Sequence, residues 1–206
     1  MKVLVACEYS GTVRDAFMAR GHDAMSADLL PTDAPGPHYQ GDARDLLGDG
    51  WDLIIAHPPC TRLCNSGVRW LAERDLWSEM REACALFLDF LNAPAPRVAV
   101  ENPVMHGHAR DIIGRRADFS VQPWQHGHGE VKRTCFWTRG LPPLVPTDIV
   151  DGRAARVHKA SPGPDRWKER STTLPGIAAA MAEQWGGQET LDRQHTQRRN
   201  EDNARL

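Results

Sequence analysis

The chain has 206 residues, of which 41% are hydrophobic and 25% are charged, and its formal net charge is −2. This length fits one domain, or one domain and a tail, and the composition excludes a wholly disordered, collagen-like or coiled-coil protein. The small net charge excludes histone-like and polybasic proteins, so any contact with nucleic acid requires a local cluster of Lys and Arg.

The first hundred residues alternate between strand-like and helix-like patterns. Short apolar runs bounded by polar residues, Gly or Pro predict strands at residues 3–6, 22–27, 51–56 and 97–100. The helical spacing of apolar residues predicts a helix at 13–20 and a longer one at 67–92, either continuous or broken once. Strands that alternate with helices are typical of a parallel sheet.

The second half of the chain is less regular. Residues 119–124 and 134–138 predict an antiparallel pair joined through a loop at 126–129. Residues 139–173, rich in Pro, Gly and Arg, predict a loop, and a short helix follows at 177–185. We therefore expect one α/β domain over 1–185 with a doubly wound, mostly parallel sheet and a late antiparallel hairpin, and a disordered polar tail over 186–206.

The apolar runs and the cysteines indicate the cellular location of the protein. No apolar run approaches the ~20 residues of a membrane-spanning helix, so we expect neither a membrane protein nor a secreted precursor. Five cysteines are an odd number and too few for a disulfide scaffold. A reducing cytoplasm is the expected location.

Polar residues that suggest chemistry follow four of the predicted strands, and ligands of open α/β sheets bind at such strand ends. Cys60 follows two prolines, which makes it rigid and accessible, and it is the candidate nucleophile. Glu101 ends another predicted strand and is the candidate acid facing Cys60 across the cleft. The four segments are residues 8–11, Asp28, residues 57–60 and residues 101–103.

In this order the motifs resemble those of the DNA cytosine-C5 methyltransferase family, in particular short phage relatives without a target-recognition domain. The resemblance covers roughly residues 3–138, with a weaker similarity at 173–185. It implies a Rossmann-like fold of the S-adenosylmethionine-dependent type, in the host cytoplasm if a phage encodes the chain. The matching motifs are Tyr9-Ser10-Gly11, Asp28, Pro58-Pro59-Cys60, Glu101-Asn102 and Lys132-Arg133.

The resemblance implies transfer of a methyl group from S-adenosyl-L-methionine to C5 of cytosine, in DNA, a single strand or a nucleotide. Cys60 would add to C6 as a thiolate, because C5 is a poor nucleophile until C6 is attacked. Glu101 would bind the N3 and N4 edge of the base and protonate N3. Lys132 or Arg133 would stabilise the ring oxygen or a backbone phosphate.

The resemblance also implies a set of cofactor-binding residues. The turn after the first strand would lie beneath the methionine part of the cofactor, Asp28 would hold the ribose hydroxyls and Asp42 would contact the adenine amine. The full set is Tyr9, Ser10, Gly11, Asp28, Asp42 and Pro58.

Residues 153–170 are locally basic in a chain that is slightly acidic overall. They form either a solvated loop or a phosphate-binding segment that replaces the recognition domain, in which Trp167 is available to stack on a base. In the second case the nucleic-acid-binding residues are Arg166, Lys168 and Arg170. In the first case, recognition would reside in a partner protein.

Other functions compete with methyl transfer. A protein that kept the fold but lost catalysis would act as a decoy or regulator of host methylation or restriction. A zinc site built from His57, Cys60, Cys64 and later residues is disfavoured, because C-x3-C is not a usual zinc spacing. The same spacing departs from the P-C-x-x-C motif of zinc deaminases. We expect no metal.

Overall fold

The computed structural model describes residues 1–159, 163 and 166–187. The predicted tail, 186–206, lies outside these residues except for its first two. No helix in the described ranges is long and apolar enough to cross a membrane.

Seven strands form one sheet. They are β1 (Lys2–Ala6), β2 (Asp23–Asp28), β3 (His38–Gln40), β4 (Leu53–Ala56), β5 (Arg97–Asn102), β6 (Phe119–Val121) and β7 (Thr134–Arg139). Their order across the sheet is β3-β2-β1-β4-β5-β7-β6. The first five strands are parallel, whereas β7 runs antiparallel to both β5 and β6. The predicted Rossmann-like, mostly parallel sheet with a late antiparallel hairpin is confirmed.

Helices cover both faces of the sheet. They are α1 (Thr12–Met18), α2 (Arg69–Glu73), α3 (Trp77–Leu91), α4 (Gly107–Ile113), α5 (Arg156–Lys159), α6 (Arg166–Ser171) and α7 (Pro175–Gly186). One core cluster packs α3 and α4 against side chains such as Leu4 and Ile54. The other packs α1 and α7 against Val3 and Val5. Because neighbouring positions of β1 enter opposite cores, residues 3–6 of the strand are all apolar and buried, as in a strand covered on both faces.

The predicted pattern at 67–92 divides into α2 and α3, and Asp75 between them adopts a left-handed conformation with φ 51°. Four of the strands and helices escaped prediction because their local signals are weak. Strand β3 has three residues, and α4 is capped by the His106 side chain, which accepts from the Ala109 amide, rather than by a usual capping residue. The segment predicted as a loop at 139–173 contains α5 and α6, which are too short to show helical periodicity.

Candidate active site

The register of the sheet brings the sequence motifs to one edge. Ala6 pairs with Ala27 and with Ala56, and Ala56 pairs with Val100. The next residue of each strand therefore stands at the same level of the carboxyl edge, where open α/β sheets bind ligands. These residues are Cys7, Asp28, His57 and Glu101.

A cavity of about 100 Å³ opens at this edge. It is lined by the turn after β1, the segment that follows β4, the end of β5 and residues 170–173. Elements that are far apart in sequence thus share one space. The predicted site residues in its lining are Cys60, Glu101, Lys132, Tyr9, Ser10, Pro58 and Arg170.

The turn after β1 is organised by Glu8, which sequence reasoning left without a role. Its side chain is buried, and its carboxylate accepts hydrogen bonds from the amides of Val13 at 2.6 Å and Arg14 at 3.2 Å. The Ser10 hydroxyl donates to the same carboxylate at 3.3 Å. Gly11 makes the turn with φ 74°. The Glu8 carboxylate, a group of the protein itself, therefore binds the amides that begin α1.

Arg14 is fully buried and ties the turn to the loop that follows β2. Its guanidinium donates to the Ser26 hydroxyl and to the carbonyls of Ala34 and Pro35, each at 3.1 Å. A side chain at Gly11 would collide with this guanidinium. Arg14 therefore holds the loop at 34–35 against the turn, a role that sequence reasoning missed because its partners lie about 20 residues away.

The two predicted adenosine-binding carboxylates lie around Cys7, outside the cavity lining. Asp28 accepts from the Leu30 amide at 2.9 Å. Asp42 pairs with Arg44 at 2.6 Å, and the hydrogen bond from that guanidinium lowers the pKa of Asp42. Burial, with the charges of Asp28 and Asp42, raises the pKa of the Cys7 thiol to about 12.

Cys60 lines the cavity and is hydrogen-bonded to Cys64, whose role sequence reasoning missed. The Cys64 amide donates to the Cys60 carbonyl at 2.9 Å, so one helical turn separates the two residues. The hydrogen bond to Cys64 and burial raise the pKa of Cys60, which Lys132 opposes. The same hydrogen bond lowers the pKa of Cys64. Cys64, one turn away, is therefore placed to exchange a proton with Cys60.

Glu101 faces this loop from β5, next to His57. Nδ1 of His57 lies 3.6 Å from Oε2 of Glu101, and the two side chains are 9% and 17% exposed. The neighbouring Asn102 is fully buried, and its amide donates to the Pro58 carbonyl at 3.1 Å. Asn102 therefore fastens the Pro58-Pro59-Cys60 segment to β5, which explains in physical terms why these two motifs occur together.

The structure separates the two predicted cations before β7. Lys132 lines the cavity and its Nζ donates to the Thr172 carbonyl at 3.3 Å. Arg133 is exposed and donates to the Ser120 hydroxyl at 3.2 Å, on the hairpin and away from the cavity. Of these two cations, Lys132 is thus the one positioned to act on a bound ligand.

Helix α6, in the predicted basic loop, lies against the turn after β1. The rings of Trp167 and Tyr9 are 5.4 Å apart, and Lys168 Nζ lies 3.3 Å from the Asp33 carboxylate. Arg170 reaches the cavity lining, whereas Arg166 does not. Helix α6 of the basic segment is therefore attached to the site.

The arrangement does not resemble a metal centre. Within the described ranges, no three His, Cys, Asp or Glu side chains are grouped as metal ligands. Cys60 and Cys64 are engaged with each other, and the Ser66 hydroxyl lies 3.0 Å from the Cys64 sulfur.

No protein-family model and no curated protein matches the chain. Among solved structures, it is similar to a protein described as a DNA modification methyltransferase encoded within a prophage of Escherichia coli. The identity is 14% and the TM-score 0.46, over 73% of this chain and 52% of that one. A methyltransferase of Entamoeba histolytica is 11% identical with a TM-score of 0.41, over 77% of this chain and 59% of that one. The chain spans little more than half the length of either protein, and identities this low concern the fold alone.

Proposed function

We propose that the chain transfers a methyl group from S-adenosylmethionine to C5 of cytosine in DNA, through a covalent adduct on Cys60. The observation that carries this proposal is the shared cavity. It unites a thiol, a carboxyl group and an ammonium group, on Cys60, Glu101 and Lys132, with the turn after β1. A nucleophile, a proton donor and a fixed positive charge are what attack on a pyrimidine ring needs.

The turn after β1 supports this choice of cofactor. In dinucleotide-binding folds, the amides that begin the first helix bind a pyrophosphate. Here the Glu8 carboxylate already occupies the Val13 and Arg14 amides, so a pyrophosphate would meet a negative charge. S-adenosylmethionine has no phosphate, and when bound it supplies an electrophilic methyl group on a positively charged sulfur. Tyr9, Ser10, Gly11 and Pro58 would hold its methionine part, and Asp28 and Asp42 its nucleoside.

The side chains would act on the base in a fixed order. Cys60 gives its proton to Cys64 and its sulfur bonds to C6, while Glu101 protonates N3 and so neutralises the charge that enters the ring. C5 would then accept the methyl group, and its proton would pass to a water molecule. Cys60 would leave C6 as a thiolate and recover its proton from Cys64, while N3 returns its proton to Glu101. Lys132 stabilises the ring oxygen during the attack.

The test is covalent trapping. Oligonucleotides of mixed sequence containing 5-fluorocytosine, single- and double-stranded, are incubated with the chain and S-adenosylmethionine, and adducts are resolved on denaturing gels. We expect an adduct, because fluorine at C5 cannot leave as a proton does. Cys60→Ser should abolish the adduct, and Cys84→Ala, at a core thiol on α3, should retain it. An adduct that survives Cys60→Ser would assign the attack to another thiol.

A second candidate function is a protein that kept the fold but lost catalysis, and that acts as a decoy or regulator of host methylation or restriction. The raised pKa of Cys60 favours it, because the thiolate is the attacking species. Calorimetry of S-adenosylmethionine binding helps to distinguish this catalytically silent protein from the methyltransferase. Without heat or a thermal shift at millimolar S-adenosylmethionine, the silent protein would be the better description, since a bound cofactor must stabilise the fold.

A further inference from the structure

We infer that His57 is a positioning residue that shares a proton with Glu101 and supplies it for protonation of the base; this rests on the proposed function. The two residues follow paired positions of adjacent parallel strands, Ala56 of β4 and Val100 of β5. Their side chains approach to 3.6 Å between Nδ1 and Oε2, and both line the cavity.

The environment of His57 calls for a polar partner. Its side chain is 9% exposed, and neither ring nitrogen has a hydrogen-bond partner among the described residues. Buried polar atoms without partners are rare in folded proteins, and each one calls for an explanation. A packing role does not provide one, because an apolar side chain would fill the same space without two unpaired nitrogens.

Hydrogen bonds hold the backbone at His57 and Pro58 in place. The His57 amide donates to the Ala6 carbonyl at 2.9 Å, which extends the ladder between β4 and β1. Pro58 restricts the preceding residue to extended conformations, and the Pro58 carbonyl is held by Asn102. Only a small movement of the side chains would bring Nδ1 and Oε2 within hydrogen-bond distance.

The other charged groups at the cavity are on different elements. Glu8, after β1, is engaged by the amides of α1. Lys132, before β7, binds the Thr172 carbonyl, and Arg170 approaches from α6. Cys7, Tyr9 and Cys60 complete the titratable lining. In the described part of the chain, Glu101 is the carboxylate within ion-pair distance of the His57 ring.

In each turnover, one proton would pass from His57 through Glu101 to N3 of the base, and would later return. As Cys60 attacks C6, the Nδ1–H bond of the His57 imidazolium would break and an O–H bond would form on the Glu101 carboxylate, which would pass this same proton on to N3. His57 is then neutral and Glu101 is again a carboxylate, so the charge leaves the pair and enters the ring. When Cys60 leaves C6, the proton returns from N3 along the same path. A carboxylate alone would have to take this proton from water.

The kinetic test compares His57→Asn with the matched variant His108→Asn, which changes an exposed histidine of α4. Asn keeps a donor near the position of Nδ1 but cannot carry the proton. We expect His57→Asn to form the 5-fluorocytosine adduct about 10²-fold more slowly, near the low end of acid–base assistance, with unchanged substrate affinity. The wild-type rate should depend on the ionisations of the thiol pair and of the His57–Glu101 pair, and His57→Asn should lose the second.

A spectroscopic test does not depend on catalysis. In long-range ¹H–¹⁵N spectra at fixed pH, the signal missing from His57→Asn identifies the ring. Replacing Glu101 by Gln should move that signal toward neutral imidazole, because the anion that retains its proton is gone. An unmoved signal, or a His57→Asn variant with the wild-type rate and pH profile, would overturn the pair while leaving methyl transfer intact. Absence of any adduct in the wild type, with the signal moving as expected, would instead overturn the proposed function alone.

Discussion

The carboxyl edge of the sheet and the helix that lies over it, α6, are held in place by different contacts. At the edge, backbone pairing aligns β1, β4 and β5, and the buried Asn102 amide fixes the loop that carries Cys60. Helix α6 is attached through side chains, chiefly the Tyr9–Trp167 ring contact and an exposed ion pair between Lys168 and Asp33. Exposed ion pairs contribute little stability. The candidate catalytic residues therefore lie on an edge that backbone pairing holds rigidly. Helix α6, which lies over this edge, is held by side-chain contacts that can change more easily.

If the catalytic residues lie at the carboxyl edge of the sheet, the largest effect on the reaction rate should come from Glu101→Gln. Gln keeps the size of the side chain but cannot give a proton to N3, so single-turnover methyl transfer should slow by about 10²–10⁴-fold. S-adenosylmethionine affinity, measured by calorimetry, should not change. Glu183→Gln, at an exposed carboxylate of α7 paired with Arg20, is the control. Equal rates in the two variants would remove Glu101 from the mechanism.

The next effect separates two neighbouring cations. Lys132→Ala removes the ammonium group that lines the cavity, and we expect adduct formation to slow by about 10²-fold, as when one stabilising donor is removed. Arg133→Ala changes an exposed side chain bound to Ser120 and should leave the rate at the wild-type value. The rates of adduct formation of the two variants, measured with the same 5-fluorocytosine oligonucleotide, show which cation takes part. The reverse pattern would mean that the base enters from the hairpin side.

The smallest effect should come from substitutions in α6, which we expect to change DNA binding. Replacing Arg166, Lys168 and Arg170 by Ala should weaken binding to single-stranded DNA and flatten its salt dependence by roughly one unit for each phosphate that the protein no longer neutralises. Arg20→Ala serves as the control, since its partner Glu183 is on α7. Salt titrations of affinity by fluorescence anisotropy measure both quantities. An unchanged slope in the triple variant would place nucleic-acid recognition elsewhere, for example on a partner protein.

The same contrast explains what could be predicted from the sequence. Strands β1, β4 and β5 each contain a continuous apolar run. Parallel strands bring their carboxyl ends together whatever the connecting segments are, so Cys60 and Glu101 could be placed at one edge. Arg14 could not be interpreted, because its partners at Ala34 and Pro35 are known only once the loop is folded.

The choice between Lys132 and Arg133 illustrates the same limit. Neighbouring residues of an extended segment point in opposite directions. Which of the two faces the cavity depends on how β7 pairs with β5, and composition does not encode that register. The pairing of His57 with Glu101 was hidden for the same reason, since it requires the alignment of β4 with β5.

The size of the cavity has a consequence for the timing of the reaction cycle. At about 100 Å³ it is well below the ~300–1,000 Å³ that encloses a ligand the size of a drug molecule. For the proposed reaction, a nucleoside cofactor and a nucleobase would not fit together in this space while residues 170–173 form one wall. Loading and release would then each require α6 and the residues after it to move. Salt that loosens Lys168 from Asp33 would speed product exit even as it weakens DNA binding.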